Sequence, residues 1–262
     1  MTIFKQKADI APISIISLLF AIDILMYTIG ISWYILAIYC LYSIVSKGYI
    51  AAWNHHHQHV ETFSIPFFNR LLEVMYWIQT GAVWYGWVLH HNLGHHAHYQ
   101  DQDKDESAWK SPEGKKYSVF MYTWMITATA YYRMWNVGKK HKKIQKYFLI
   151  MCLIQLLILS ALIIIQPLQA IFIFVIPMIA SLTLTAYATY DHHSGLESED
   201  PYKSSYNTLN PLYNKVTGNL GYHTAHHLKW WMHWSKLPEF HKTIEHNIDK
   251  KYYRNYKIMW HS

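Results

Sequence analysis

The chain has 262 residues, of which 52% are hydrophobic, 17% are aromatic and 15% are charged, and it contains 19 histidines. This composition excludes a disordered chain, which has few apolar residues and many charges. The two cysteines, Cys40 and Cys152, lie in apolar runs, which excludes a disulfide scaffold and a cysteine-based zinc or redox site. The mean hydropathy of -0.03 combines very apolar with very polar segments, which indicates a membrane protein with a large water-facing part.

Four segments are long and apolar enough to cross a membrane, since roughly 20 residues span the ~30 Å hydrocarbon core. The predicted spans are approximately residues 11–30, 31–50, 147–165 and 170–190, in two hairpins with uncharged turns. The first run is long and lacks a small-residue cleavage site, so we expect it to remain as an anchor. Asp23 interrupts it, and because a carboxylate is costly in lipid we expect this side chain to face protein or the membrane edge.

Two shorter aromatic-rich runs, residues 74–89 and 119–132, are interpreted as re-entrant or interfacial helices. If the first run crossed the membrane, the histidines before and after it would be separated by about 30 Å of hydrocarbon and could not share a site. The sequence therefore predicts one domain over residues 1–262. Its predicted fold is all-α, with four transmembrane helices in two hairpins, re-entrant or interfacial helices and a cytosolic helical cap that carries the histidines.

In this topology all 23 Lys and Arg lie on one side, which the positive-inside tendency identifies as the cytoplasm. We therefore predict a multi-pass protein, with cytoplasmic termini, of a bacterial inner membrane. The net charge of +7 is better explained by this orientation than by nucleic-acid binding. A lysine cluster before the third span either sets the membrane orientation and contacts lipid headgroups, or docks an acidic electron-transfer partner. The cluster consists of Lys139, Lys140, Lys142, Lys143 and Lys146.

Histidines recur at the spacing that lets a helix bind a metal, because residues four apart share one helix face. Three boxes have this pattern, HxxxH, HxxxHH and HxxHH, and a fourth pair follows the last span. The boxes comprise His55 and His59; His91, His95 and His96; His223, His226 and His227; and the pair is His192 and His193. We expect the box histidines to act together at one membrane face.

Adjacent histidines on a helix point about 100° apart, so the repeated HH pairs indicate two metals. Imidazole ligands suit iron, copper or zinc and do not choose among them. We expect nine further histidines to be outside the ligand set, the first four as neighbours of the boxes and the last five as surface residues. They are His56, His57, His90, His98, His141, His233, His241, His246 and His261.

These boxes on a four-span frame resemble the membrane-bound fatty acid desaturase and hydroxylase superfamily, over nearly the whole chain. Residues 91–96 are similar to the HNxGHH box of alkane hydroxylases, whereas residues 219–223 and 237–238 resemble bacterial acyl desaturases. The composition and motifs also fit the members that decarboxylate free fatty acids to terminal alkenes. The resemblance implies a non-haem diiron centre at the cytosolic membrane face, above a tunnel for an acyl or alkyl chain.

Carried over residue by residue, the resemblance makes His55, His59, His91, His95, His96, His223, His226 and His227 iron ligands. The ninth ligand would be His193, in an element similar to the post-span His-x-Gly-Leu of the family, with His192 as the alternative. Nearby carboxylates either orient imidazole N–H groups or form a solvated acidic loop. These carboxylates are Asp101, Asp103, Asp105, Glu106 and Asp191.

The resemblance implies an oxidoreductase that uses O₂ on a fatty acid or acyl chain in the bilayer, with desaturation favoured. Oxidative decarboxylation to a 1-alkene and hydroxylation remain alternatives. The chain lacks a fused cytochrome b5 motif and a cysteine cluster for an iron-sulfur centre. A separate ferredoxin, rubredoxin or cytochrome, with its reductase, must then supply electrons. A divalent-metal transporter is the rival class, but its ligands should lie near the membrane midplane, and the histidines here lie outside the predicted spans.

Overall fold

The computed structural model describes residues 2–255, and every regular element in that range is helical. Two π-helical segments, Val88–His96 and Ile171–Val175, interrupt the succession of α-helices. In chain order the α-helices are α1 (Ile10–Thr28), α2 (Trp33–His59), α3 (Pro66–Thr80), α4 (Trp84–Trp87), α5 (Val119–Gly138), α6 (Lys142–Ile165), α7 (Pro167–Ala170), α8 (Ile176–His193), α9 (Pro211–Thr217), α10 (His223–Leu228) and α11 (Leu237–Ile244).

Among the described residues, four helical stretches are long and apolar enough to cross a membrane, as the sequence predicts. They are Lys7–Thr28, Trp33–His59, Lys142–Ile165 and Pro167–His193. Large apolar side chains on these stretches point outward, including Ile38 at 71% exposure and Leu41 at 69%. Apolar surface of this extent is stable only against lipid or a partner. The chain is an integral membrane protein with an all-α fold.

The prediction that residues 74–89 are re-entrant or interfacial, and do not cross the membrane, agrees with the helical pair that α3 and α4 form. Gly81 separates the two helices with a φ of 75°, a left-handed conformation that glycine adopts without strain. The carbonyl of Gly81 accepts a hydrogen bond from Tyr131 Oη at 2.7 Å, which fixes the turn. The rings of His59, before the pair, and His91, after it, lie 5.2 Å apart. The pair therefore begins and ends on the same side of the molecule.

Both halves of helix α5 are hydrogen-bonded to the same loop, residues 97–118. Near its start, Tyr122 donates to the carbonyl of Ser107, and near its end Arg133 donates to the carbonyl of Glu106. A helix bound at both ends to the same short loop does not cross the bilayer. The five exposed lysines of the cluster predicted from the sequence follow it, at the junction with α6.

Asp23 faces protein, as predicted, and its partner corrects one expectation. Lys47 Nζ lies 3.0 Å from the Asp23 carboxylate and donates to the carbonyl of Ile173 at 2.6 Å, while Tyr39 Oη donates to Asp23 at 2.9 Å. Lys47 is only 2% exposed inside α2, so the expectation that every Lys and Arg lies on the water-facing side is wrong at this position. The carbonyl of Ile173 lies in a π-helical segment, where the regular α-helical hydrogen bonding is interrupted.

The water-facing part, which we call the cap, consists of the loop 97–118 and residues 194–255. Asp9, just before α1, accepts hydrogen bonds from His233 at 3.0 Å and Trp234 at 2.7 Å and so joins the first span to the cap. His233 is 8% and His241 1% exposed, so the prediction that both are surface histidines is wrong. His246 is exposed and His141 half-buried, and His261 lies outside the described residues.

Candidate metal centre

The nine histidines predicted as ligands converge in two neighbouring clusters where α2, α8, α10 and the π-helix Val88–His96 meet. The first cluster, defined here as His55, His59, His91, His96 and His226, keeps one ring nitrogen of each residue within 4.8 Å of those of the others. The second cluster is defined as His95, His193, His223 and His227. Its His95, His193 and His227 meet the same criterion. His223 Nε2 joins them, 2.9 Å from that of His193.

Four Nε2 atoms of the first cluster form a closed ring. Consecutive distances are 2.9 Å from His55 to His226, and 3.1 Å from His226 to His96, from His96 to His91 and from His91 to His55. Each neutral imidazole carries one N–H, so hydrogen bonds cannot satisfy all four contacts. A square with this edge has its centre ~2.2 Å from each corner, within the tolerance of a metal–imidazole bond. The ring therefore fits a cation.

His59 is the fifth member of the first cluster, and its ring lies 4.7 Å from that of His96 and 4.8 Å from that of His226. Neither of its ring nitrogens has a hydrogen-bond partner among the described residues, although both are buried. An imidazole buried without a partner is costly unless it binds a metal.

The second cluster is built on a triangle of Nε2 atoms from His193, His223 and His227, with edges of 2.9, 3.1 and 3.2 Å. Edges of this length let the three atoms share one cation at an ordinary metal–imidazole distance.

The π-helix Val88–His96 changes the pairing within the second box. Spacing in an α-helix pairs His91 with His95, but the wider π turn brings His91 and His96 into the first cluster and directs His95 into the second. Gly94 makes room for this turn, because a Cβ there would lie 2.6 Å from Glu106 Cγ. Adjacent histidines thus serve different clusters, as the 100° argument predicts.

Hydrogen bonds outside the second cluster fix two of its rings. His95 donates Nδ1–H to the carboxylate of Asp105 at 3.0 Å, and His193 donates Nδ1–H to the carbonyl of Ser204 at 2.9 Å. Asp105 is in turn held by the backbone N–H of Ser107 at 2.7 Å. With Nδ1 protonated, each Nε2 presents a lone pair to the cluster. Asp105 thus takes the orienting role that the sequence left open among five carboxylates.

His192 does not enter either cluster, although it stacks on His223 with ring centroids 3.9 Å apart. Its Nδ1 lies 3.1 Å from the carbonyl of Tyr206, and its Nε2 lies 3.1 Å from Tyr213 Oη. Both ring nitrogens are thus engaged, and His193 is the member of this pair that faces the cluster.

Two other neighbours of the first box are also engaged elsewhere. His56 Nε2 lies 3.0 Å from the carbonyl of Thr217, and His57 Nδ1 lies 2.9 Å from Thr62 Oγ1. Both side chains are therefore oriented away from the ring of Nε2 atoms, which agrees with their exclusion from the ligand set in the sequence analysis.

Burial favours the uncharged form of four box histidines that lie outside the membrane-spanning helices. Burial, reinforced by the neighbouring rings, holds the pKa of His226 and His227 well below the usual value, and the pKa of His91 and His96 is lowered in the same way. Only a neutral imidazole has a lone pair for a metal, so these residues are ready to bind a cation at neutral pH.

Each cluster is covered by one partly exposed aromatic ring that the sequence analysis missed. Trp230 lies 5.6 Å from His59, and Tyr99 lies 4.2 Å from His227, measured between ring centroids. Both aromatics come four residues after a box histidine, His226 and His95, so helical spacing is the signal that could have identified them.

A narrow cavity of about 70 Å³ lies beside both clusters, and we call it the central cavity. His55 and His91 line it from the first cluster, and His95 and His223 from the second. The rest of its wall is largely apolar and is contributed by α2, α4, α8 and the cap. These wall residues include Ala51, Ala52, Trp87, Leu184, Ala188 and Leu220. Its wall suits an apolar chain held next to two metals.

The profile of the family described as Fatty acid desaturase matches residues 31–260, which include both clusters and all the helices from α2 onward. A search of curated proteins gives no significant match. Members of this family act as oxidoreductases on fatty acyl chains, and the family implies a diiron centre, which agrees with two histidine clusters able to hold metal. Because the match covers most of its length, the chain belongs to the fatty acid desaturase family.

Proposed function

We propose that this protein is an O₂-dependent, non-haem diiron oxidoreductase that desaturates a fatty acyl chain. The central cavity carries this proposal, because a single apolar space touches histidines of both clusters. Unactivated C–H bonds offer no charge to recognise, so the wall must place the reacting carbons by shape. The two irons would supply the oxidising power that amino-acid side chains lack.

In this proposal the first cluster holds one iron and the second cluster holds the other. The five histidines of the first cluster exceed the four ligands of a tetrahedral zinc site, and the family implies iron. Asp105 and the carbonyl of Ser204 keep the rings of His95 and His193 in the tautomer that presents Nε2. The proposed ligands are His55, His59, His91, His96 and His226 for one iron and His95, His193, His223 and His227 for the other.

Desaturation removes two hydrogen atoms from the chain, and together with two electrons and two protons they reduce O₂ to two waters. The electrons must come from a separate ferredoxin, rubredoxin or cytochrome with its reductase, because the two cysteines, Cys40 and Cys152, cannot bind an iron-sulfur cluster. We place the termini and the histidines on the cytoplasmic face of a bacterial inner membrane. The five exposed lysines that follow α5 and continue into the start of α6 support this orientation.

The test is mass spectrometry of products from membranes that contain the protein, supplied with labelled saturated fatty acids, O₂ and a reconstituted electron donor. We expect an acid of unchanged carbon number that lacks two hydrogens, and the His226→Ala variant serves as the inactive control. A product with one added oxygen atom would show that the enzyme hydroxylates its substrate instead. A hydrocarbon one carbon shorter than the acid would show decarboxylation instead. If the protein binds metal but shows no O₂-dependent turnover, the proposed oxidoreductase activity is wrong.

A further inference from the structure

The four rings of the second cluster are held in two different ways. His95 and His193 each donate Nδ1–H, the first to a carboxylate and the second to a backbone carbonyl. The Nδ1 atoms of His223 and His227 are buried but have no hydrogen-bond partner among the described residues. An imidazole without such a bond turns about its Cβ–Cγ bond unless its neighbours block the rotation. Packing must therefore hold the rings of His223 and His227.

Each of these two rings packs against an aromatic ring from outside the cluster. The rings of His223 and His192 are nearly parallel, with an interplanar angle of 11° and a centroid distance of 3.9 Å. The rings of His227 and Tyr99 are tilted by 32° at a centroid distance of 4.2 Å. His192 is only 3% exposed, whereas Tyr99 is half-buried. The stack on His192 is thus the closer and better-buried contact, and a turn of the His223 ring would drive it into His192.

The His192 ring is itself fixed in one orientation. Its Nδ1 lies 3.1 Å from the carbonyl oxygen of Tyr206, and its Nε2 lies 3.1 Å from Tyr213 Oη. A carbonyl only accepts, so Nδ1 donates its N–H there and Nε2 accepts from the Tyr213 hydroxyl. One neutral tautomer thus satisfies both contacts. Tyr213 is in turn packed with Leu220 and Ala52 in a small buried cluster, so the support behind His192 is rigid.

The central cavity makes this support necessary. Both His192 and His223 line the cavity, so the His223 ring borders open space. To complete the triangle, its Nε2 must stay 2.9 Å from that of His193 and 3.2 Å from that of His227. A ring beside open space has no packed atoms to oppose its rotation on that side. The flat ring of His192 opposes the rotation instead.

We propose that His192 is a positioning residue of the second cluster. Its ring stacks on His223 and keeps the His223 Nε2 in the triangle, in place of the Nδ1 hydrogen bonds that His95 and His193 make. His192 itself binds no metal, because both of its nitrogens are engaged elsewhere. The inference deepens the proposed function and rests on it for the presence of a metal at this cluster, whereas the role of His192 rests on the stacked rings.

The experiment measures metal binding without turnover. Cobalt(II), which imidazole ligands bind, is titrated into the purified, metal-free, full-length protein, and its visible absorption reports the affinity and the geometry of each site. The titration is repeated in the His226→Ala background, in which we expect only the second cluster to bind. A change seen in both titrations is then assigned to the second cluster.

Three substitutions separate the ring of His192 from its hydrogen bonds. His192→Leu keeps the volume without a flat ring, and we expect it to weaken cobalt binding at the second cluster by about 10–100-fold, to alter the absorption of that site and to leave the first cluster unchanged. His192→Gln retains polar atoms but no aromatic ring, and it is the second variant if His192→Leu does not fold. We expect the same loss of affinity. His192→Phe keeps the ring and loses both hydrogen bonds, so we expect lower thermal stability but nearly unchanged affinity.

His241→Ala is the matched control for the loss of a buried histidine. His241 is 1% exposed and its Nε2 lies 3.1 Å from a tyrosine hydroxyl, that of Tyr253, as His192 Nε2 does from Tyr213. We expect the control to lower thermal stability and to leave cobalt binding unchanged. Unchanged affinity in a folded variant that lacks the ring would overturn the inference. An equal loss in His192→Phe or in His241→Ala would also overturn it, because the effect would then not depend on the stacked ring.

This readout separates the two proposals. The expected order of cobalt affinities, with no O₂-dependent product from the iron-loaded protein, would preserve the role of His192 and remove the proposed reaction. A desaturated product, with unchanged affinity at the second cluster of His192→Leu, would preserve the reaction and remove the role of His192. If the unchanged protein binds no metal at the second cluster, both proposals are wrong.

Discussion

The two histidine clusters are close neighbours, yet the protein holds them in different ways. In the second cluster, the Asp105 carboxylate and the Ser204 carbonyl bind the outer nitrogens of His95 and His193. In the first cluster, the four Nε2 atoms face one another, and neither ring nitrogen of His59 has a partner among the described residues. Protein hydrogen bonds thus orient two rings of the second cluster, whereas the outer nitrogens of its His223 and His227 are also without a partner among the described residues. We therefore expect a bound metal to contribute more to the order of the first cluster, where His59 has no hydrogen bond at all.

Removing one ligand from each cluster should have the largest effect. We expect both His226→Ala in the first cluster and His95→Ala in the second to lower turnover more than 100-fold, beyond the ~10–100-fold cost of losing an outer partner. Each variant should lose one of two metals, measured by elemental analysis of the purified protein. Full activity in either variant, with the protein correctly inserted, would contradict the ligand assignment.

The outer hydrogen bond at Asp105 tests the difference between the clusters directly. Asp105→Asn should weaken metal binding about 10–100-fold at the second cluster only, because the amide orients His95 less strongly than a carboxylate. Metal titration followed by absorbance would then resolve two sites of unequal affinity. Asp101→Asn, which alters an exposed ion pair with Lys104, is the matched control. Equal weakening at both clusters would remove the proposed asymmetry.

Acidification should destabilise the metal-free protein. Burial holds the pKa of His226 and His227 below the ordinary value of 6.5, so below about pH 6.5 the unfolded chain binds more protons than the folded one. The contribution of these groups is thus present above pH 6.5 and is lost as pH falls. Thermal unfolding of the apoprotein at pH 5 and pH 7.5 measures it. Equal stability at the two values would mean that these rings are not held neutral.

Histidines outside the clusters provide the baseline for these effects. His246→Gln should leave turnover and stability nearly unchanged, because the side chain is exposed. His233→Ala should leave metal content unchanged but cost about 1–3 kcal/mol of stability, since it removes a hydrogen-bond partner of the buried Asp9 carboxylate. Thermal unfolding and metal analysis of the two variants separate these outcomes. Loss of metal from either one would mean that the boundary of the clusters is wrong.

Much of the site could be predicted from the sequence, because the spacing of the histidines shows which of them share one face of a helix. The eight box histidines and His193 lie together in the structure. Adjacent histidines enter different clusters, as the 100° rule predicts, both for His95 and His96 and for His226 and His227. The pairing of His91 with His96 could not be predicted, because it depends on a π-helix whose signal in the sequence is too weak to read. The choice between His192 and His193 required the positions of Tyr206 and Tyr213, which approach from distant segments.

The membrane spans and the segments between them could be predicted, because the length and hydropathy of a segment decide whether it can cross a membrane. The partners of single polar residues could not be predicted, because they depend on contacts between distant parts of the chain. Lys47 was assigned to the water-facing side, yet it pairs with Asp23 inside the membrane, and His233 was assigned to the surface, yet it binds Asp9. In each case a charged or titratable group is buried because a partner far away in the sequence compensates it.

The most direct test of the account is the iron content of the purified protein after anaerobic loading with ferrous iron, measured together with its Mössbauer spectrum. We predict two irons per chain, in two environments of unequal ligand number, with the His226→Ala variant retaining one. A single iron per chain, or two irons that both survive the loss of His226, would contradict the central claim that the two clusters form a diiron centre.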